Sequence, residues 1–315
     1  MYSWSLTIWQ TENSNLDHDK NMAERSRTSG RGNDISGSFW KMRSVLKYPG
    51  SKWNIAGQLV NMIPPHHSYV EPFFGSGAVL FNKPVSDIET VNDLDSDVTN
   101  LFRCIQIDSE RLARLVMTTP FSREEYDKQF EVPEGAICID SFERAVGFLI
   151  KCWQGHGFRT NGYKVGWKND VVGRERAYAL WNWYRLPEWI IDIAERIRMV
   201  QIENRPALEV IKRFNHDGVF MYIDPPYLLG TRAGKQYKHE MTDADHEEML
   251  KDLLQSKAKI MISGYESDMC SDYLKDWNKK AFNSCAEHGK PRTEVVWMNY
   301  SDTQLSFADF PEVMP

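Results

Sequence analysis

Cysteine is scarce in this 315-residue sequence, and none of the five, Cys104, Cys138, Cys152, Cys270 and Cys285, forms a CxxC pair. The odd count and missing pairs speak against a disulfide framework or a zinc ribbon and fit reduced thiols in a cytosolic protein. No HExxH pattern accompanies the eight histidines, so no metal site is expected. No apolar run is long enough to span a membrane. The opening MYSWSLTIWQ lacks the basic start and small-residue cleavage site of a signal peptide. Basic residues are in deficit too: 38 Lys and Arg against 44 Asp and Glu give a net charge of −6. A polyanionic partner would therefore have to be held by a local patch rather than by the whole surface.

What is present is core-forming material. With 42% hydrophobic and 12% aromatic residues, the chain can bury one large domain, or a core domain carrying a smaller one. Residues 1–41 are polar and rich in Ser, Gly, Asn and charge; without an apolar period they read as a disordered N-terminal extension. From Met42 the sequence alternates strand-like and helix-like segments, which predicts an α/β fold with a doubly wound, mostly parallel sheet. Strands are expected in SYVEPFFGSG, ETVNDLD, IRMVQIEN, GVFMYIDPPY and KIMISGY, with TEVVWMNY as an edge or hairpin strand. Helices are expected in WNIAGQLVNMI, AVLFNKP, SDVTNLFRCIQ, ALEVIKRF and DADHEEMLKDLLQ. Between residues 105 and 198 the alternation is interrupted by a largely helical insertion, dividing the alternating α/β part into 42–104 and 199–315. Trp181, Trp183 and Trp189 are expected to pack inside that insertion.

Four motifs could carry chemistry. In GVFMYIDPPYLLG an apolar run meets Asp224, Pro225, Pro226 and Tyr227. Two prolines cannot donate ladder hydrogen bonds, so the strand stops and leaves carbonyls without strand partners. Asp224 and the Pro225 carbonyl can then both accept hydrogen bonds from one exocyclic amino group, while Tyr227 offers a face for a flat base. An aryl amine such as adenine N6 is a poor nucleophile, and two acceptors favour the localised lone pair that can attack a methyl group. In EPFFGSG, Gly75 and Gly77 allow a sharp turn and close approach to a nucleotide. Turn geometry alone is an equal reading of that motif, which lacks the third glycine of the dinucleotide fingerprint. Asp93, in VNDLD, stands about 20 residues past the first strand, where an acid can accept from a ribose hydroxyl pair, although an acid there is more often a helix cap. KYPGSK places Lys47 and Lys52 around a Gly-Ser turn able to hold an anion, without the full P-loop pattern.

In this order, KYPGSK, EPFFGSG, VNDLD, a long insertion, DPPY and RTEVVWMNY resemble the D12 class of adenine-N6 DNA methyltransferases over about Val45 to Tyr300. The resemblance implies a Rossmann-like S-adenosylmethionine-dependent enzyme that methylates N6 of an adenine flipped out of duplex DNA. It implies a catalytic set of Asp224, Pro225, Pro226 and Tyr227, and a cofactor set of Tyr48, Lys52, Phe73, Gly75, Gly77, Asp93 and Asp224. Tyr48 stands where many relatives carry tryptophan. Base flipping requires backbone contacts to hold a distorted duplex. Lys47, Lys164, Lys168, Arg174 and Arg176 can meet phosphates, and Arg159 or Asn161 can read a base edge. GFRTNGYKVGWKND departs from the pattern of GATC-methylating relatives, so no recognition sequence is implied. A cytoplasmic monomer encoded by a bacterium or phage, and a place in restriction-modification, are the accompanying expectations. Rival readings are a cytosine-N4 DNA methyltransferase, an adenine RNA methyltransferase and a catalytically silent DNA-binding relative.

Overall fold

The computed structural model describes residues 42–131, 140–169, 178–232, 234–285 and 291–301. The expected extension 1–41, together with Arg174 and Arg176, lies outside them. Seven strands form one sheet in the order β3-β2-β1-β4-β5-β7-β6. The strands are β1 (Ser68–Glu71), β2 (Ile88–Asn92), β3 (Gln201–Glu203), β4 (Val219–Ile223), β5 (Lys259–Gly264), β6 (Asn278–Cys285) and β7 (Pro291–Met298). The first five run parallel; β7 pairs antiparallel with β5, and β6 with β7. The chain winds outward from β1 through β2 to β3, then returns to place β4 on the other side of β1. Strand order therefore reverses between β1 and β4, which opens a crevice at their carboxyl ends, the usual ligand position in such folds.

β4 is buried along its whole length, as a central parallel strand covered on both faces must be. Alternation divides its side chains between two clusters. Phe220 and Tyr222 join Tyr69, Phe102 and Ile193 on one face. Val219, Met221 and Ile223 join Val210, Leu250 and Leu274 on the other. Each such apolar side chain contributes about 1.5–3 kcal/mol on burial. The first face is covered by α2 (Ser96–Thr118), α4 (Ser141–Gln154) and α5 (Tyr178–Ile197), with the short α1 (Ala56–Val60) and α3 (Arg123–Lys128) beside them; the second by α6 (Ala207–Arg213), α7 (Asp243–Leu254) and α8 (Asp268–Tyr273). Helix α2 starts on the Asp95 cap, whose carboxylate accepts from the Asp97 N–H. An extended residue at Asp108 interrupts it, and the Asp108 carboxylate then accepts from the Arg111 N–H to start the second stretch. Because α2 crosses residues 104 and 105, the segment 105–198 shares one continuous apolar cluster with the sheet. No helix among the described residues is long and apolar enough to cross a membrane.

Several local expectations differ. AVLFNKP forms a single 3-10 turn, Leu80–Asn82, because Pro84 follows and the residue before a proline is driven out of helical geometry. WNIAGQLVNMI yields only the helix Ala56–Val60. In IRMVQIEN the first residue still belongs to α5, leaving a three-residue edge strand. TEVVWMNY takes the hairpin alternative of its expectation and not the edge one: it is the inner strand β7, with β6 outside it. Trp183 and Trp189 are buried in the insertion core, but Trp181 is 45% exposed and stacks on Tyr184.

Candidate active site

The DPPY stretch leaves the carboxyl end of β4, at the crevice. Asp224 Oδ1 accepts from the Ser263 hydroxyl at 2.8 Å, and Oδ2 lies 3.1 Å from Lys52 Nζ. Lys52 is buried, and its ammonium also donates to the Gly50 carbonyl. Burial pulls the lysine pKa down, but Asp224 and Glu294 outweigh it and hold the group above its ordinary value. Tyr227 donates its hydroxyl to Glu294 Oε2 at 2.7 Å and meets Tyr265 edge-on at 4.6 Å. Lys52 Nζ stands 4.8 Å from the Tyr227 ring centre. Burial, then the carboxylates of Asp224 and Glu294, push the Tyr227 phenol well above its usual pKa, so it remains a protonated donor. One residue earlier, the Pro226 carbonyl is 2.9 Å from His246 Nε2. Burial holds the His246 pKa below the ordinary histidine value, and a carbonyl can only accept, so the neutral ring carries its proton on Nε2.

Beside these residues lies a pocket of about 280 Å³ whose lining includes Tyr48, Lys52, Phe73, Gly75, Asp93 and Asp224. Gly75 turns with φ +48, and a Cβ there would stand 3.1 Å from Tyr48 Cδ1, so the KYPGSK and EPFFGSG loops close on each other. Ser51 Oγ and Ser76 Oγ, 2.8 Å apart, join the same two loops. The Asp93 carboxylate accepts from the Gly75 N–H at 2.8 Å and the Asp95 N–H at 2.9 Å. Burial nonetheless raises its pKa to about 7. Asp93 is thus not a helix cap: Asp95 caps α2, and Asp93 faces the pocket. Gly77 does not reach the lining. It turns with φ +67 beneath Phe74 and Phe81, where a Cβ would stand 2.6 Å from either ring. Across the pocket, Tyr237 donates to the Pro49 carbonyl at 3.1 Å and tilts against Tyr48 with ring centres 6.0 Å apart.

The basic segment forms a hairpin-like loop. Gly155 bridges Trp167, and the Lys168 N–H donates to the Gln154 carbonyl at 2.7 Å. Arg159 is exposed, its guanidinium 5.6 Å from the Tyr163 ring. Lys164 pairs with Asp127 at 2.8 Å. Asn161 is committed to loop structure: its amide donates to the Lys235 carbonyl at 2.9 Å, and its oxygen accepts from the Tyr163 N–H at 3.1 Å. Lys47 lies 4.0 Å over the Trp153 ring, and burial followed by the charge of Lys168 lowers its pKa to about 8. Thr160 completes a docking contact between this loop and the one after DPPY: its N–H donates to the Gln236 carbonyl at 2.9 Å, and its hydroxyl accepts from the Lys238 N–H at 2.8 Å. The second loop is itself braced by a partly buried Arg232–Glu240 ion pair, with Arg232 Nε donating to the Tyr227 carbonyl at 2.7 Å.

Sequence reasoning missed Ser263, Tyr237, His246 and Glu294. For two of them a signal existed: Ser263 breaks the apolar run KIMISGY, and Glu294 opens the apolar run VVWM. His246 and Tyr237 sit in polar surroundings and gave none.

Residues 48–289 match the family described as D12 class N6 adenine-specific DNA methyltransferase. Curated relatives include the Type II methyltransferase M1.LlaDCHI of Lactococcus lactis subsp. cremoris, 26% identical over 284 residues covering 83% of this chain and 96% of the relative. A DNA adenine methylase of Salmonella typhi is 25% identical over 74% of this chain and 84% of its own length. The Type II methyltransferase M.MjaIII of Methanocaldococcus jannaschii is 24% identical over 82% of this chain and all of its own length. A carboxylate at a Pro-Pro strand end beside a glycine-lined pocket, in a sheet of this topology, agrees with that match. The chain belongs to the D12 class of N6 adenine-specific DNA methyltransferases.

Proposed function

We propose that this adenine methyltransferase takes its methyl group from S-adenosylmethionine bound in the pocket between KYPGSK and EPFFGSG, and acts on an adenine flipped out of duplex DNA. The observation that carries this reading is the position of Asp224, in the pocket wall yet fixed at the end of β4 by Ser263 and Lys52. When bound, S-adenosylmethionine supplies a methyl group already activated by its sulfonium centre. The residues available suit it: Tyr48 and Phe73 offer aromatic faces, Gly75 leaves room for close approach, and Asp93 faces the lumen as an acceptor for ribose hydroxyls. Asp224 and the Pro225 carbonyl hold the adenine amino group, drawing its hydrogens so that the nitrogen lone pair localises. Tyr227 carries the base by stacking, and Pro226 fixes the turn through His246.

Residues 105–198 serve DNA recognition and 42–104 with 199–315 the chemistry. Lys47, Arg159, Lys164 and Lys168 face phosphates or bases, whereas Asn161 acts by shaping its loop. Arg174 and Arg176 belong to the same basic stretch of sequence. The protein works as a monomer in the cytoplasm of a bacterial host, on its own or beside a restriction endonuclease. Expression in a methylation-free host, followed by sequencing of modified bases, should reveal N6-methyladenine in one short sequence context. Asp224→Ala should lower methyl transfer by about 100-fold or more. Unchanged transfer by that variant would refute the site.

A further inference from the structure

We infer that Glu294 is a positioning residue for methyl transfer, acting through the hydroxyl of Tyr227. Glu294 stands in RTEVVWMNY, just past the matched residues 48–289, and its role rests on the site reading above. Topology explains why it is there. β7 is antiparallel to β5, with Gly264 opposite Val295. The beginning of β7 therefore lies at the carboxyl end of the parallel strands, the edge where Asp224 leaves β4. Glu294 is only 6% exposed, and a carboxylate so buried is costly unless it is paired. Its Oε2 accepts from the Tyr227 hydroxyl at 2.7 Å, and its charge supports the Lys52 ammonium.

Tyr227 leaves a strand end made of two prolines, a place without ladder hydrogen bonds to hold its ring. Three groups hold the ring instead, with Tyr265 against the edge, Lys52 over the face and Glu294 at the tip. The bond to Glu294 is directional, so it sets the rotation and tilt of the ring on which the base stacks. A stacking platform displaced by about 1 Å misplaces the amino group relative to Asp224, which can cost about 100-fold in rate.

Two conservative variants separate reach from charge. Glu294→Gln keeps an acceptor oxygen at the same length and removes the charge; Glu294→Asp keeps the charge and withdraws the acceptor. Single-turnover methyl transfer on duplex DNA containing the target sequence should fall about tenfold or more in Glu294→Asp and stay within about threefold of wild type in Glu294→Gln. The KM for S-adenosylmethionine should stay within about twofold in both. In a Tyr227→Phe background Glu294→Asp should cause no further loss, because the bond it breaks is already absent. Wild-type rates in Glu294→Asp, equal losses in the two variants, or losses that multiply with Tyr227→Phe would each overturn the inference. Asp224→Ala assayed alongside keeps the outcomes distinct: retained transfer there refutes the whole site, whereas its loss with an intact Glu294→Asp refutes only the role of Glu294.

Discussion

At the scale of single residues, Asp93 links the pocket to pH. Its carboxyl is raised in the fold to about 7 from a reference value of 3.8, chiefly by burial. Between those values the unfolded chain has lost the proton and the folded chain keeps it. The group's contribution to stability therefore falls as pH rises through that window and is level above it. Ligand binding runs the opposite way, since ribose hydroxyls donate to the ionised form. S-adenosylmethionine should bind about tenfold more weakly at about pH 6 than at about pH 8, and Asp93→Asn should flatten that profile. Calorimetric titration across this range checks it, and a flat wild-type profile would count against the assigned contact. Gly77 makes a purely steric prediction. With φ +67 and two phenylalanine rings where a Cβ would go, Gly77→Ala should cost about 1–3 kcal/mol, read as a lower denaturant midpoint.

At the scale of elements, α5 is anchored to the sheet by charge as well as by packing. Arg196, near its end, reaches both oxygens of Glu89 on β2 and the Leu80 carbonyl. Lys83 donates to the same Glu89 at 2.5 Å. All three side chains are at least nine-tenths buried. Glu89→Leu leaves two buried cations without their partner and should destabilise the protein by about 3–5 kcal/mol. Arg196→Met leaves a neutral Lys83–Glu89 pair and should cost less; chemical denaturation of both variants tests the order. This triad also marks where the sequence stopped being informative. GVFMYIDPPY was legible as a buried strand because its apolar run and its prolines are local signals. The bounds of β3, the turn at Leu80–Asn82 and the inner place of β7 depend on neighbours supplied by distant segments. TEVVWMNY could be read as an edge or hairpin strand, but which strand of the hairpin pairs with β5 is decided by contacts with β5 itself.

At the scale of the whole molecule, the net charge of −6 makes DNA binding a matter of a few local cations against an unfavourable background. The affinity for duplex DNA should fall steeply with salt, and Lys168→Ala should reduce the log–log slope by about one if it meets a phosphate. Lys164→Ala should change it less, because Asp127 already holds that ammonium. The motifs that meet at the pocket were legible in sequence since each is a short contiguous string. The roles of Ser263, His246 and Glu294 were not: Ser263 and Glu294 stand out only as polar residues in apolar runs, and the partner of each of the three lies at least 20 residues away.

The docking of Thr160 and Asn161 onto residues 235–238 bears on how such an enzyme can acquire a new target. The loop proposed to meet DNA and the loop that follows DPPY share backbone hydrogen bonds, and Arg232 carries the connection to the Tyr227 carbonyl. Exchanging residues 156–168 for those of a relative would therefore graft half of a mated pair. Hybrids that also take over 232–240 should inherit the donor's specificity with its turnover, whereas single-loop chimaeras should bind and turn over poorly. On the proposed reading, target preference is tied to a paired module, and drift in one loop obliges compensating change in the other.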